Sequence, residues 1–585
     1  MTILAAILLW MNVSMAAPGV RVHGERKQWH RLTLTFEGPA ASEDATPNPF
    51  RDYRMNVVFT HTRSGKKLNV PGYFAADGNA AETSAKAGDR WRAHFLPLEA
   101  GEWKYTASFR AGTDVAISAD PAAGKATAFD GASGSLRIAA VKSRGLLRYT
   151  GGHYLQFAGT GEYFLKGGAD SPENFLAYEE FDDTRDADAD SGSYKAVGTF
   201  IHSYAPHVKD WKNGDPVWKG GKGKGIIGAL NYLAGKGMNS LYFLTYNVDG
   251  GDGRDTWMWT DEKTRDRFDV SKLDQWEIVF SHMDRLGLML HVVTQETEND
   301  RRLGGGPGLN PVRRLYLREL AARFSHHPAL IWNLGEENNT PDRDRKEIAR
   351  YIRSQDAYEH PVTVHTKNNK ALTFYDGILG DPFFEATSIQ GEMKNYNTEA
   401  VALRKRSLEA GRKWAIFGDE QAPASHGVLP DGDDPDHDIP RKFALWGNLM
   451  GGGAGVEWYF GAKFAHMDIN CEDWRSRDRL WDMTRHALRF FQQNLRFWEM
   501  EPANELAPGA FVLAKANSVY AVYFPDGGGG TVKLGDGAYS VKWYNPRSGG
   551  ALRDGTVKSV KGPGVLAIGA PPEDASKDWV ALIRR

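Results

Sequence analysis

The chain of 585 residues holds one cysteine, Cys471. That excludes an intrachain disulfide and any zinc site built on several thiolates. Net charge is nearly absent: 72 Lys and Arg against 74 Asp and Glu leave −2, so no global field draws in nucleic acid or an anionic membrane. Apart from a short N-terminal run, no stretch is long and apolar enough to span a bilayer. Tandem repeats at solenoid periods are also missing.

What is present is the composition of a soluble globular protein, 41% hydrophobic and 25% charged, with length for two to four domains. Aromatics make up 12%, including 18 Trp, enough for a large core or for platforms that stack on sugar rings. The N-terminus, MTILAAILLWMNVSMAAPGV, carries an apolar run from Ile3 to Trp10 and the small-residue site Ser14-Met15-Ala16-Ala17. This pattern predicts a signal peptide over 1–17 and a secreted, periplasmic or cell-envelope location in a bacterium. The basic residues that usually precede such a run are missing, which points to a truncated start.

Over 18–142 short period-two segments such as RLTLTFEG, MNVVFTHT and EWKYTASFRA alternate with Gly, Asp and Pro. They predict an immunoglobulin-like β-sandwich. Over 143–503 apolar strand-like runs alternate with amphipathic helices. The runs are 162–168, 239–246, 288–295, 329–335, 361–366, 385–391, 414–420 and 454–461, and eight of them predict a (β/α)8 TIM barrel. Over 504–585 the β rhythm returns and predicts a small closing β-sandwich.

The stretch IWNLGEENN ends the fourth run on Glu336 and Glu337, and WAIFGDEQ ends the seventh on Asp419 and Glu420. Adjacent carboxylates at a strand end are usually solvated or salt-bridged. In a barrel, however, strands four and seven deliver side chains to opposite sides of one mouth. Two facing carboxyl groups are what cleavage of a sugar acetal needs, one as acid and one as nucleophile.

These motifs resemble those of clan A glycoside hydrolases, in which an Asn-Glu pair follows strand four. The likeness implies Glu337 as acid/base and Glu420 as nucleophile. Glu336 then stands where the family's Asn contacts the sugar 2-hydroxyl. More widely, the stretches GKGKGIIGALNYLAGKGMNSLYFLTYNVDGGDG, LHVVTQETEND and KFALWGNLMGGGAGVEWYFG resemble bacterial secreted proteins with an N-terminal DUF5060-type sandwich, a clan-A-like barrel and a C-terminal β-module labelled collagen-binding. Nothing in the C-terminal residues has a physical link to a collagen triple helix.

Other residues expected at the mouth as substrate contacts are Asp170 after strand one, Tyr246 and Asn247 after strand two, Glu296 after strand three, Asn338 after strand four and His365 after strand five. Asn174, Gln295, Glu298 and Asn299 are weaker candidates of the same kind. Trp257 and Trp259, on a Gly/Asp-rich loop, are expected to stack on sugars. The resemblance adds Trp458, where clan A barrels often carry a stacking Trp.

No metal site is expected. His326-His327 precedes a Pro in a helix-to-strand turn without a third ligand. Asp186, Asp188 and Asp190 have calcium-loop spacing, but Ser191 and Val197 stand where the turn Gly and bidentate Glu belong. GGKGKG lacks the Lys-Ser or Lys-Thr ending of a phosphate loop, and no G-x-S-x-G elbow occurs. A polysaccharide lyase would leave the carboxylates of strands four and seven unexplained. The sequence therefore predicts a secreted glycoside hydrolase that acts on a poly- or oligosaccharide without a cofactor. The alternative is a non-catalytic carbohydrate- or matrix-binding protein on the same scaffold.

Overall fold

The computed structural model describes residues 19–186, 201–248, 255–261 and 263–585. The expected signal segment 1–17, and Asp188 and Asp190 of the acidic loop, lie outside the described residues.

The N-terminal part is rich in sheet. One antiparallel sheet orders Val20–His23, Leu32–Ser42, Ala87–Phe95 and Tyr73–Phe74. The other orders Lys67–Pro71, Tyr53–His61, Gly101–Ala111 and Lys125–Ala126, with Ser133–Ile138 also paired to Gly101–Ala111. In Gly101–Ala111 the residues Trp103, Tyr105, Ala107 and Phe109 are buried and those between them are not, the alternation a one-sided strand requires. The two apolar faces close on each other: Phe59 stacks on Phe95 at 3.8 Å between ring centroids, and Trp91 meets Phe109 at 4.8 Å.

Eight strands form one all-parallel sheet: β1 (Lys166–Ala169), β2 (Ser240–Leu244), β3 (Met289–Val293), β4 (Leu330–Asn333), β5 (Val362–Thr363), β6 (Ile389–Glu392), β7 (Phe417–Ala422) and β8 (Gly455–Trp458). Their order is β5-β4-β3-β2-β1-β8-β7-β6. A parallel bridge between His365 and Ser388 links the chain beyond β5 to the chain before β6, so the arrangement is consistent with a TIM-type barrel. Helices intervene, among them α1 (Lys224–Gly235), α2 (Val270–Leu286), α3 (Pro311–Phe324), α4 (Asp342–Gln355), α5 (Tyr396–Glu409) and α6 (Asp478–Asn494). Every residue of β1 to β4 is buried, as expected of parallel strands covered on both faces. Caps set the helix starts: Asp269 accepts the Lys272 N–H at 2.9 Å for α2, and Asn310 accepts the Arg313 N–H at 3.0 Å for α3.

The N-terminal sheets dock on the helix layer. Arg318 of α3 donates to Met55 O at 2.8 Å and Asn56 Oδ1 at 3.0 Å. The Tyr358 hydroxyl accepts the Leu96 N–H at 2.8 Å and donates to His94 O at 3.2 Å.

The C-terminal strands, expected as a sandwich, form one hydrogen-bonded sheet. Its order is Glu501–Pro502, Phe511–Lys515, Val519–Phe524, Trp579–Arg584, Thr531–Tyr544 and Ser559–Ala567. A register shift between Leu534 and Gly537 interrupts its longest strand, and such irregularities bend a sheet. One face gathers Val512, Val522, Trp543 and Ile583 into a core of its own. The other presents Leu513, Tyr523, Tyr544 and Leu582 to the barrel. Buried Asp578 pins this sheet, accepting Arg441 Nη2 at 3.0 Å, Arg441 Nε at 3.1 Å and the Tyr523 hydroxyl at 2.8 Å. No described helix is long and apolar enough to cross a membrane.

Candidate active site

The C-terminal ends of the barrel strands converge on a group of carboxylates. One ligand atom each from Glu336, His365 and Glu420 lie within 4.8 Å of one another. His365 stands between the two carboxyl groups, with Nδ1 2.6 Å from Glu336 Oε1 and Nε2 3.7 Å from Glu420 Oε2. Its Nδ1 also faces the Glu337 N–H at 3.3 Å, which fits a lone pair there and the ring proton on Nε2.

The chain reaches this arrangement by two local devices. After β4, Gly335 takes φ +133 and Glu337 takes φ +40, a left-handed conformation that a glutamate rarely adopts and that is common at functional positions. Glu336 is tied by its N–H to Gln295 O at 2.8 Å and is buried. Glu337 is half-buried, and its Oε1 accepts Gln390 Nε2 at 3.1 Å. In β7 the pairing with β6 skips: Ile389 faces Gly418, and the next residue, Gln390, faces Glu420. The extra residue is Asp419. This bulge lets adjacent Asp419 and Glu420 both serve the interior, where a regular strand would send them to opposite faces.

Beneath the cluster lies a buried ionic floor. Lys166 of β1 donates to Asp419 Oδ1, and to Glu457 Oε2 at 2.9 Å. Glu457 also accepts His291 Nδ1 at 2.7 Å and the Ser240 hydroxyl. Asn333 links the floor to the mouth: its Nδ2 lies 3.1 Å from His291 Nε2 and 3.1 Å from Ser388 Oγ, while its Oδ1 accepts the His365 N–H at 3.1 Å.

Burial opposes ionisation of Glu457, yet Lys166 and His291 hold it down at about 2. Asp170 and Glu336 go the other way. Burial pushes each well above the usual carboxylate range, reinforced for Asp170 by Glu336 and Glu420, and for Glu336 by Glu337 and Asp419. Burial pushes the His365 imidazole down to about 4, against the pull of Asp419 and Glu337. The resulting set is an ionised Glu457 beside lysine, two carboxyl groups that favour the neutral form, and a neutral histidine beside Glu420. Such separation of protonation states is what acid–base chemistry needs.

The expected contacts divide. Glu336, Glu337, His365, Glu420 and Asp170 come together. Asn247 and Glu296 sit on the rim beside them: Asn247 Nδ2 donates to Glu296 Oε2 at 2.7 Å, and Glu296 bridges to Glu336. Asn338 does not present its amide, because Oδ1 accepts Thr340 N and Arg345 Nε, both at 3.0 Å, and Nδ2 donates to Leu334 O. Trp458 faces outward: Glu457 points into the barrel, so its neighbour points away, and the indole N–H donates to Thr484 of α6 at 2.9 Å. Trp257 and Trp259 are fully buried and offer no open face. Trp259 packs edge-on to Tyr246 at 4.5 Å, and Lys272 Nζ lies 4.6 Å from the Trp257 ring. Of the weaker candidates, Asn174 turns to His202 Nε2 at 2.8 Å. Sequence reasoning passed over Lys166, Tyr242, His291, Asn333 and Gln390. Lys166 and His291 did carry a signal, each being a titratable residue inside an apolar run.

The Glu336, His365 and Glu420 atoms could hold a metal ion. Two other groupings of ligand type are taken by cations of the chain itself. Lys166 lies among His291, Asp419 and Glu457. Arg31 bonds Glu277 and lies 3.4 Å from His326 in the group His94, Glu277 and His326. A cavity of about 940 Å³ borders this second group, lined by Trp29, Arg144 and Glu277 among others, and contains none of the mouth carboxylates.

Comparison with known proteins bears on the fold. Residues 25–110 match the family model described as a domain of unknown function, DUF5060. No curated protein matches the sequence. A presumed glycoside hydrolase from Bacteroides vulgatus ATCC 8482 superposes with a TM-score of 0.64 at 15% identity, covering 95% of this chain and 99% of that one. A glycoside hydrolase family 5 structure from the same organism gives 0.51 at 15% identity over 75% and 93% of the chains. A third structure, a glycoside hydrolase, gives 0.52 at 14% identity over 75% and 97%. The N-terminal part thus resembles the DUF5060 domain, and the chain as a whole shares its fold with glycoside hydrolases.

Proposed function

We propose that the protein is a secreted glycoside hydrolase that cleaves O-glycosidic bonds of a poly- or oligosaccharide by retaining double displacement. The observation that carries this reading is the meeting of the chain after β4 with β7: Glu336 and Glu420 each bring an atom within 4.8 Å of the other around His365, and Glu337 adjoins Glu336. Retention requires the acid/base and the nucleophile to stand about 5–5.5 Å apart, too close for a water between them. Glu420 attacks the anomeric carbon as the leaving oxygen takes a proton from Glu337. The same Glu337 then draws a proton from water, whose oxygen displaces Glu420 from that carbon. Half-buried Glu337 suits exchange with leaving group and water. Buried Glu336, Asp170 and His365 suit contacts to the sugar held below, with Glu296 and Asn247 on the rim. None of these steps calls for a cofactor.

A second reading of the acid has its own support. Glu336 is the carboxyl group within 4.8 Å of Glu420 and the one that favours the protonated form. Azide separates the two. A variant lacking the acid/base keeps activity on aryl glycosides with good leaving groups and is rescued by azide, whereas a variant lacking a sugar contact is not. The first reading expects rescue in Glu337→Gln and none in Glu336→Gln.

The function itself is tested on a panel of neutral and acidic polysaccharides, read by released reducing ends. Hydrolysis by the wild type that falls about 10²–10⁴-fold in Glu337→Gln supports it. Glycan that binds but survives intact with the wild type would assign the protein to non-catalytic binding.

A further inference from the structure

Resting on the reading of this site as a glycan-cleaving centre, a count of its hydrogen-bonding groups narrows the substrate. Five buried acceptor atoms around the floor have no partner: both oxygens of Asp170, Glu336 Oε2, Asp419 Oδ2 and Gln390 Oε1. The Tyr242 hydroxyl and the His365 Nε2–H are also unpartnered, the Tyr242 ring lying edge-on to His291 at 4.6 Å and to His365 at 6.0 Å. Asp170 has no exposed surface and Glu336 is 1% exposed. Such groups are costly to leave unmatched inside a protein. The cation bonded to this floor, Lys166, is already committed to Asp419 and Glu457. Even with Asp170 and Glu336 in the neutral form, the unmatched oxygens outnumber the donors beside them, and the bonded cation is already taken.

We infer that the sugar seated on this floor is one that supplies donors and carries no negative charge, a neutral polyhydroxylated ring or an amino sugar, and that uronic acids and sulfated sugars are excluded from this position. Hydroxyls and an ammonium group bring the missing donors. A carboxylate or sulfate brings acceptors only, into a floor already crowded with them. Like-charge juxtaposition at a buried contact is strongly unfavourable. The arginines near the mouth do not reverse this sign at the floor: Arg265 lies over the Tyr246 and Trp259 rings at 5.0 and 4.9 Å, and Arg345 is bonded to Asn338.

Saturation-transfer NMR on the whole protein tests this without needing turnover. Glucose, galactose, mannose, xylose and glucosamine are each presented, followed by glucuronate, galacturonate and galactose 6-sulfate. The expected result is binding of at least one neutral or amino sugar, with its acidic counterpart weaker by about tenfold or more. In Asp170→Asn and Glu336→Gln, checked for unchanged melting, that gap narrows. An acidic sugar bound as tightly as its neutral counterpart would overturn the inference. So would stabilisation of the wild type, but not of Glu336→Gln, by Zn²⁺ or Ca²⁺ alone, because the acceptors would then belong to a cation. Cleavage of a uronate or sulfated glycan at the charged sugar, abolished in Glu420→Gln, would remove the inference and leave the hydrolase standing. Silence from every sugar together with an uncleaved polysaccharide panel would overturn the hydrolase reading and the inference with it.

Discussion

A lysine with no exposed surface is tolerable only when paired, and Lys166 is paired twice, with Asp419 and Glu457. Removing it leaves two buried carboxylates facing each other. Lys166→Met is expected to cost about 3–5 kcal/mol of stability, measured by chemical denaturation, and a loss under about 1 kcal/mol would mean that the floor relaxes or takes in water. His365 carries a pH signature. Burial lowers its folded-state pKa to about 4, below the ordinary imidazole value of 6.5, so between these values the unfolded chain binds a proton that the folded chain refuses. This residue's contribution to stability therefore falls as pH drops from about 6.5 towards 4. In NMR, the His365 ring resonances should stay constant from pH 7 to pH 5; an inflection near 6.5 would contradict the buried, neutral placement.

At the level of elements, the bulge in β7 is the feature on which the site depends, and Gly418 permits it. A Cβ at Gly418 would lie 2.0 Å from the Tyr396 ring, and Tyr396 holds Glu420 O at 2.7 Å. Gly418→Ala should displace Tyr396 and Glu420 together, lowering the melting temperature and activity in one step. Wild-type activity in that variant would show that Glu420 is positioned by something else.

The start of α2 supplies a second pH test. Glu43 accepts the Val270 N–H at 2.8 Å, and burial, reinforced by Asp269, raises its pKa from 4.5 to about 8. The folded chain keeps this proton where the unfolded chain has released it. Stability from this group is thus present at low pH and is lost as pH climbs from about 4.5 to 8. Glu43→Gln should flatten that slope in denaturation curves taken across the window.

The two carboxylate motifs were legible in the sequence because each closes an apolar run; Glu336 and Glu337 do follow β4, whereas β7 continues through Asp419 and Glu420 to Ala422. The bulge was not legible, since nothing in WAIFGDEQ marks Asp419 as the extra residue. Nor was the outward turn of Trp458, which follows from Glu457 pointing inward to Lys166. Asn338 and the loop tryptophans were misjudged because residue type alone does not tell a rim contact from a loop brace.

For the whole molecule, two added sheet units flank the barrel and are fixed to it by buried polar contacts. Asp578 is the clearest. Burial would raise its pKa, yet Arg441 and Tyr523 hold it below the usual range. Asp578→Ala leaves Arg441 without its bidentate partner and should destabilise the protein by about 3–5 kcal/mol, seen as early loss of C-terminal protection in hydrogen exchange. Such contacts fix the C-terminal sheet to the barrel.

The central claim is that the carboxylates gathered there break glycosidic bonds. The most direct measurement is the rate of reducing-end release by the wild type and by Glu420→Gln, at equal concentration, on whichever glycan of a broad panel the wild type attacks. The account predicts clear release by the wild type and a loss of several orders of magnitude in the variant. Equal release by both proteins would contradict it.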